Sequence, residues 1–444
     1  MSEINKSIRG TGDVLPVESF KWQFIEDKML ETSRLFGFKE IRIPVFEHTE
    51  VFTRSVGDTT DVVQKEMYTF DDKSGRSITL RPEFTAGVVR SVIEHGLVNG
   101  ALPVKTCYVG ACYRYEKPQA GRLREFHQFG VECFGASKPS ADAEVILLAN
   151  TILMNIGIKN LSLEINSIGC PECRKIYHAA LKEYLSSHSD ELCDTCKGRL
   201  DKNPMRVLDC KSPVCSKIAS DAPVMLDYLC DECNEHFDGV KSHLSATGLD
   251  YKINTHIVRG LDYYTRTVFE FVSGDIGAQS TVCGGGRYDG LVGQMGGPQL
   301  PSLGFAMGLE RLLMVMKSQN TPFNPEPPCD IFIASMGEKS EIEATKLCSL
   351  LRAEGFCAVT DITGKGLKAQ MKYANKIGAT FAAVIGDNEL MHGSCNIKNM
   401  ATGEEKQVAL PDGLVEAVYD FQINSALESL SDSVDEVETL FENK

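Results

Sequence analysis

The sequence predicts an α+β fold in several parts, and three observations carry that prediction. Residues 104–135 read as a hairpin with one apolar and one polar side, which calls for antiparallel pairing. Residues 170–233 hold eight cysteines in four pairs, the mark of a small cysteine-rich insertion domain. After a linker with four prolines, TPFNPEPPCD at 321–330, strand and helix patterns alternate as β-α-β-α-β, a small C-terminal α/β domain. A chain of 444 residues has room for two to four such domains and ample buried core.

The first part runs over residues 1–165. Trp22, Ile25, Met29 and Phe36 follow helical spacing, and Gly37 suits the stop. FKEIRIPVFE at 38–47 reads as a strand with Pro44 inside it. Proline cannot donate to a ladder, so this strand belongs at an edge or a subunit contact. MYTF, the turn DDKSG and SITLRPE make a second hairpin pattern, with a helix beginning near Glu83 and Thr85. Next come VKTCYVGACYRYE and EFHQFGVECFG, joined by KPQAGRLR. In the second of these strands Phe129, Val131 and Cys133 share an apolar face, so Gln128, Gly130 and Glu132 share the opposite one. A glycine between two hydrogen-bonding side chains leaves room for a ligand above the sheet. Arg114 adds a rigid donor fork suited to carboxylate or phosphate, and Lys117, Arg122 and Arg124 add loop cations.

Residues 166–244 carry Cys170/Cys173, Cys193/Cys196, Cys210/Cys215 and Cys230/Cys233. Three pairs have the C-x2-C spacing of zinc knuckles, and four pairs could make two four-cysteine sites in a segment with few large apolar residues. Spacing alone leaves structural zinc, reduced core thiols and a redox pair all open.

Residues 245–325 return to active-site character. VRGLDYYTRTVFEF at 258–271 places Arg259, Asp262, Tyr263 and Tyr264 at the mouth of a strand. These groups suit a pocket for a small, planar, partly anionic ligand. Alternation puts Thr265, Thr267, Phe269 and Phe271 on one face, with Arg266, Val268 and Glu270 on the other. GGGRYDGLV at 284–292 offers close backbone approach, with Arg287 and Tyr288 as polar groups. SLGFAMGLERLL at 302–313 runs from a strand into a helix bearing Arg311, a place where an arginine can pair with phosphate. No P-loop or Rossmann fingerprint is present.

The C-terminal α/β domain spans residues 326–423, and residues 424–444 form an acidic tail. Between Thr363 and Gly386 there is no acid, while Lys365, Lys368, Lys372 and Lys376 are basic, the last three on one helical stripe. A net charge of −15 argues against broad, non-specific nucleic-acid binding; a lysine stripe is more commonly a solvated face, and the absence of acids here shifts the balance toward local phosphate contact. MSEINKSIRG has no apolar run, which predicts no secretory signal. Asn150, Thr151 and Asn155 interrupt Val145–Ile158, so no membrane span is expected. Sixteen cysteines without an export signal predict reduced thiols or metal ligation in the cytoplasm.

Together these segments resemble a known family. YRYEKPQAGRLREFHQFGVE resembles motif 2 of class II aminoacyl-tRNA synthetases, FKEIRIPVFE motif 1 and LGFAMGLERLL motif 3. VRGLDYYTRTVFEF and GGGRYDGLV look like the two signature peptides of histidyl-tRNA synthetases. IRGTGDVLP and TLRPE are similar to that family as well, so the resemblance covers residues 8–423. It implies a class II synthetase-like antiparallel sheet flanked by helices and a C-terminal anticodon-binding module. The implied reaction joins L-histidine and ATP, with Mg2+, to histidyl-adenylate and then to tRNA(His), in a cytoplasmic homodimer. By resemblance Arg114 and Arg311 hold ATP phosphates, and Arg259 serves as a cation facing the α-phosphate and the carboxylate. Glu83, Thr85, Gln128, Glu132, Tyr263 and Tyr264 match positions around the amino acid, with Glu83 also matched among the catalytic residues. Phe84 stands where the family usually has glycine, a large side chain beside the expected pocket. The insertion is expected to close over the tRNA acceptor stem. A regulatory, synthetase-like subunit of histidine biosynthesis is the alternative; such subunits lack the intact signature peptide and the C-terminal domain, and both are present here.

Overall fold

The computed structural model describes residues 5–57, 60, 62–200, 203–208, 210, 212–257, 261–323, 329–421 and 423, with backbone alone at 278 and 279. The acidic tail and Arg259 lie outside these residues. The chain divides into two compact units, residues 1–323 and 324–444.

The first unit opens with α1 (Pro16–Leu35), which starts on a proline whose missing N–H costs a first turn nothing. The strands β1 (Lys39–Glu40) and β2 (Phe46–His48) follow, then α2 (Thr49–Val56), β3 (Thr69–Asp71), β4 (Ser77–Leu80) and α3 (Thr85–Glu94). The hairpin expected at 104–135 is β5 (Val104–Tyr113) and β6 (Glu125–Phe134), leading into α4 (Pro139–Asn155) and β7 (Leu161–Ser167). The cysteine-bearing segment supplies α5 (Pro171–Ser187), α6 (Asp194–Arg199), α7 (Pro213–Ser220) and α8 (Asp231–Ala246). The sheet then resumes with β8 (Lys252–Ile253), β9 (Thr265–Ser273), β10 (Thr281–Arg287) and, after the short α9 (Leu291–Gln294), β11 (Ser302–Gly308) and α10 (Leu309–Ser318).

Eight of these strands form one sheet in the order β1-β5-β6-β11-β10-β9-β7-β8, antiparallel except for the parallel pairs at its two edges. Phe129 and Val131 on β6, Phe305 on β11 and Phe269 and Phe271 on β9 pack on one face against α1, α4, α8 and α10. That covered face leaves the alternate side chains of β6, β9 and β11 to line a cleft. Among the described residues no helix is long and apolar enough to cross a membrane.

Two expectations about strands need correction. FKEIRIPVFE is not one strand: β1 joins the edge of the large sheet, while β2 belongs to a three-stranded sheet β2-β4-β3. Between them the carbonyls of Ile43 and Pro44 accept from the buried guanidinium of Arg81 at 2.9 and 3.3 Å, which replaces the ladder that proline interrupts. In β9 the pairing with β10 skips a step between Val268 and Thr265, and Arg266 takes φ 52°. This bulge breaks the alternation, so Arg266 turns to Glu232 on α8 while Glu270 lines the cleft.

The second unit contains β12 (Cys329–Ser335), α11 (Glu338–Ala353), β13 (Ala358–Thr360), α12 (Leu367–Lys376), β14 (Ala379–Ile385), α13 (Asp387–His392), β15 (Ser394–Asn399) and β16 (Glu405–Ala409). Its sheet runs β13-β12-β14-β15-β16, parallel through β14 and antiparallel beyond it. Helix α13, the final antiparallel pair and a helical stretch at 412–421 extend the expected β-α-β-α-β pattern. Lys365, Lys368, Lys372 and Lys376 are all exposed, and α12 turns Gln370 and Ala374 inward instead.

Candidate active site

A cavity of about 780 Å³ lies over the open face of the large sheet. Glu83, Thr85, Arg114, Gln128, Glu132, Tyr263, Tyr264 and Arg311 all line it, although they come from segments far apart in the chain.

The polar floor begins where β4 gives way to α3. The Glu83 carboxylate accepts from the backbone N–H groups of Thr85 and Ala86, both at 2.8 Å, and so caps the helix from inside the cleft. Burial raises its pKa, and these N–H donors oppose the rise. Glu132 is deeper, almost fully enclosed, and accepts from the hydroxyls of Tyr108 at 3.0 Å and Tyr288. Burial pushes its carboxyl up to about 8 against the pull of the tyrosine and Thr85 hydroxyls, with the nearby Glu83 adding to the rise. Gly304 makes this placement sterically feasible, since a Cβ there would stand 2.1 Å from Glu132 Oε2. Tyr263 packs against Tyr264 at 4.7 Å and edge-on to Tyr288 at 5.5 Å, forming an aromatic wall. Gln128 accepts from the Cys112 thiol at 3.4 Å and faces the same space.

The other end is cationic. Arg114 donates through Nε to Pro82 O at 2.9 Å and lies over the Phe126 ring, which fixes its fork beside Glu83. Arg311, on α10, donates to Gly121 O at 3.1 Å and Thr281 O at 2.9 Å, tying the 117–124 loop to the sheet. Arg122 lines the cleft and pairs with Glu116 at 3.1 Å. Arg124 instead stacks on Tyr115 at 4.2 Å.

Two readings of individual residues change, and a third is sharpened. Gly130 does not leave a space for ligand: a Cβ there would stand 2.3 Å from the Tyr108 hydroxyl, whose ring crosses that position on its way to Glu132. Arg287 faces away from the cleft, enclosed with Asp142, Asp289 and the Ala136 carbonyl. Phe84 stands beside the pocket as expected, but behind its wall, stacked on Tyr108 at 4.3 Å with Arg81 over its ring at 4.0 Å.

Tyr108, Glu270 and Glu310 line or seal the site without having been singled out in the sequence. Only the β5–β6 register, Tyr108 opposite Gly130, reveals the first. Glu310 precedes Arg311 and accepts from the His127 backbone N–H at 2.9 Å. Outside the cleft, the eight insertion cysteines gather into two groups of four.

The histidyl-tRNA synthetase family profile matches residues 10–194 and 218–312, and an anticodon-binding domain profile matches residues 330–418. A histidine–tRNA ligase of Acetivibrio thermocellus is 56% identical over 407 residues, spanning 92% of this chain and 98% of the relative. One from Caldanaerobacter subterraneus subsp. tengcongensis is 55% identical over 410 residues, spanning 92% and 98%. The crystal structure of apo S. aureus histidyl-tRNA synthetase superposes with a TM-score of 0.80 at 40% identity, covering 93% of this chain and 99% of that one.

Proposed function

The chain belongs to the histidyl-tRNA synthetase family, and from that premise we infer how its cleft carries out the family's reaction. The activity is histidine–tRNA ligation. L-histidine and ATP give histidyl-adenylate and pyrophosphate, and the adenylate then acylates the 3′ end of tRNA, with AMP leaving. The regulatory-subunit reading is not favoured beside ligase relatives that match 92% of the chain.

Two enclosed carboxyls at one end of a cleft and arginines at the other orient the substrate, and this polarity carries the assignment. Arg114 is held on Pro82, next to Glu83, so the phosphate end meets the amino-acid end at Glu83. The reacting carboxylate and the ammonium share one carbon. Glu83, Thr85 and Gln128 therefore take the ammonium, and the imidazole reaches inward to Glu132 and the tyrosine wall of Tyr263 and Tyr264. Arg114, Arg311 and Arg259, the last by its match to the signature peptide, stabilise the charge that grows on the α-phosphoryl oxygens as the carboxylate attacks and pyrophosphate departs. Glu270 and Glu310, both lining the cleft, would hold the Mg2+ of the ATP complex through their carboxylate oxygens. Lys365, Lys368, Lys372 and Lys376 are assigned to tRNA(His) phosphates. Exposed Val45, Phe46 and Phe70 around the three-stranded sheet support a homodimer. The tRNA substrate and the many free thiols support a cytoplasmic location.

ATP–pyrophosphate exchange with each of the twenty amino acids tests the reading. Exchange with histidine alone is expected. Absence of exchange with histidine overturns it.

A further inference from the structure

The insertion's cysteines gather in a way that sequence spacing left undecided. Cys170, Cys173, Cys230 and Cys233 form one group and Cys193, Cys196, Cys210 and Cys215 another, and within each group all four Sγ atoms lie within 4.8 Å of one another. The remaining eight cysteines are scattered, and among the described residues no other group of three or more histidines, cysteines and acids gathers like this. A tetrahedral ion with bonds of ~2.3 Å to sulfur sets its thiolates about 3.8 Å apart. Cys170 and Cys173 stand at 3.5 Å, and Cys193 and Cys210 at 3.9 Å.

The local backbone is prepared for charge on sulfur. Cys170, Cys193 and Cys230 stand immediately before α5, α6 and α8, and Cys173, Cys196 and Cys233 occupy the first turns of those helices. Cys230 N–H donates to Cys173 Sγ at 3.1 Å, and Cys193 N–H to Cys215 Sγ at 3.3 Å. Four thiolates at one point are stable only around a cation, and a closed set of four sulfur ligands leaves no position for substrate or water. An iron–sulfur cubane would spread its four ligands more widely than these groups allow.

Both groups reach the same short segment of the cleft wall. On the side of the first group, Arg174 of α5 donates to Tyr264 O at 3.0 Å. Gly169 O accepts from Arg266 N at 2.9 Å, and Glu232 of α8 pairs with the Arg266 side chain. On the side of the second, the chain between Cys196 and Cys210 brings Asn203 and Arg206 to Asp262 Oδ1 at 3.2 and 3.3 Å. We propose that the insertion binds two Zn2+ ions, one in each four-cysteine group, and that together they brace residues 262–266 of the histidine pocket from two sides. The brace rests on the histidine-pocket reading; the metal content does not.

The test uses the full chain purified without chelator. Elemental analysis should find two zinc ions per chain, and a mercurial should release both as it titrates the eight insertion thiolates. Cys173→Ser and Cys196→Ser should each retain one zinc. In histidine-dependent exchange each variant should raise the KM for histidine by roughly tenfold or more, with the KM for ATP held. Fewer than two zinc ions in the unmutated chain, iron in their place, or disulfides found by mass spectrometry overturns the metal sites, whether or not the variants fold. Single variants that lose one zinc yet keep the KM for histidine overturn the brace. Histidine-dependent exchange by the unmutated chain is measured separately, so a failure of the enzyme reading is seen apart from both.

Discussion

A carboxyl sealed beneath two tyrosine hydroxyls ionises reluctantly, and Glu132 carries the consequence into solution behaviour. Its folded pKa of about 8 stands above the ordinary value of 4.5. Folding therefore favours the protonated form, and the stability this adds is complete below pH 4.5 and is lost as pH rises through about 8. Ligand-free protein should weaken between pH 5 and pH 9 by an amount on the order of a few kcal/mol, and Glu132→Gln should flatten that slope. Urea midpoints across this range check it, and identical slopes for the two proteins would refute the assignment. Histidine should protect the unmutated protein most at the alkaline end, where the carboxylate is already charged. Alternation along β6 made Gln128 and Glu132 legible in the sequence. The occupant of the space over Gly130 was not, because Tyr108 reaches it through a strand register that no local pattern reveals. The stacking of Phe84 on Tyr108 was hidden for the same reason, since Tyr108 lies on β5.

Between elements, a deeply buried electrostatic tie joins α4, α8 and β10. Asp142 on α4 accepts from Arg287 on β10 and interacts with His236 on α8 at 3.2 Å, all deeply buried. Burial alone would raise the Asp142 pKa, but its His236 and Arg287 partners hold it below the ordinary carboxylate range. Arg287→Ala leaves that carboxylate without its main counter-charge and should cost about 3–5 kcal/mol. A denaturant midpoint that stays put would show the tie to be dispensable. A signal for Arg287 was present in the sequence: it lies three positions after Gly284, so strand alternation sends it to the opposite face from the cleft. The bulge at Arg266 left no such signal, since a non-glycine residue with positive φ follows from tertiary context. In the second unit β15 and β16 escaped notice because SCNIKN and EKQVA are half-exposed and mostly polar, unlike the apolar β12 and β14.

For the whole molecule, the proposed lysine contact would reconcile acidity with tRNA binding by locality. A net charge of −15 repels phosphate in general, while α12 and the turn before it present four lysines with no acid between Thr363 and Gly386. Reversing Lys368 and Lys372 to glutamate should raise the KM for tRNA about tenfold and reduce the salt slope of binding by about one per lost phosphate contact. Histidine-dependent exchange should be unaffected, and parallel losses in both assays would point to misfolding instead. The proline-rich linker, the cysteine pairs and the signature peptides were all visible as composition or motif. The cleft was visible only as fragments, because the sheet order that assembles them is a long-range property. That order has a further consequence, for synthesis. Glu132 needs the bare backbone of Gly304 beside it, and β6 lies between β5 and β11. A ribosome-bound chain therefore has no pocket until β11 has emerged and paired, however early its glutamates are made. Histidine can act as a folding ligand only after Gly308 has left the ribosome.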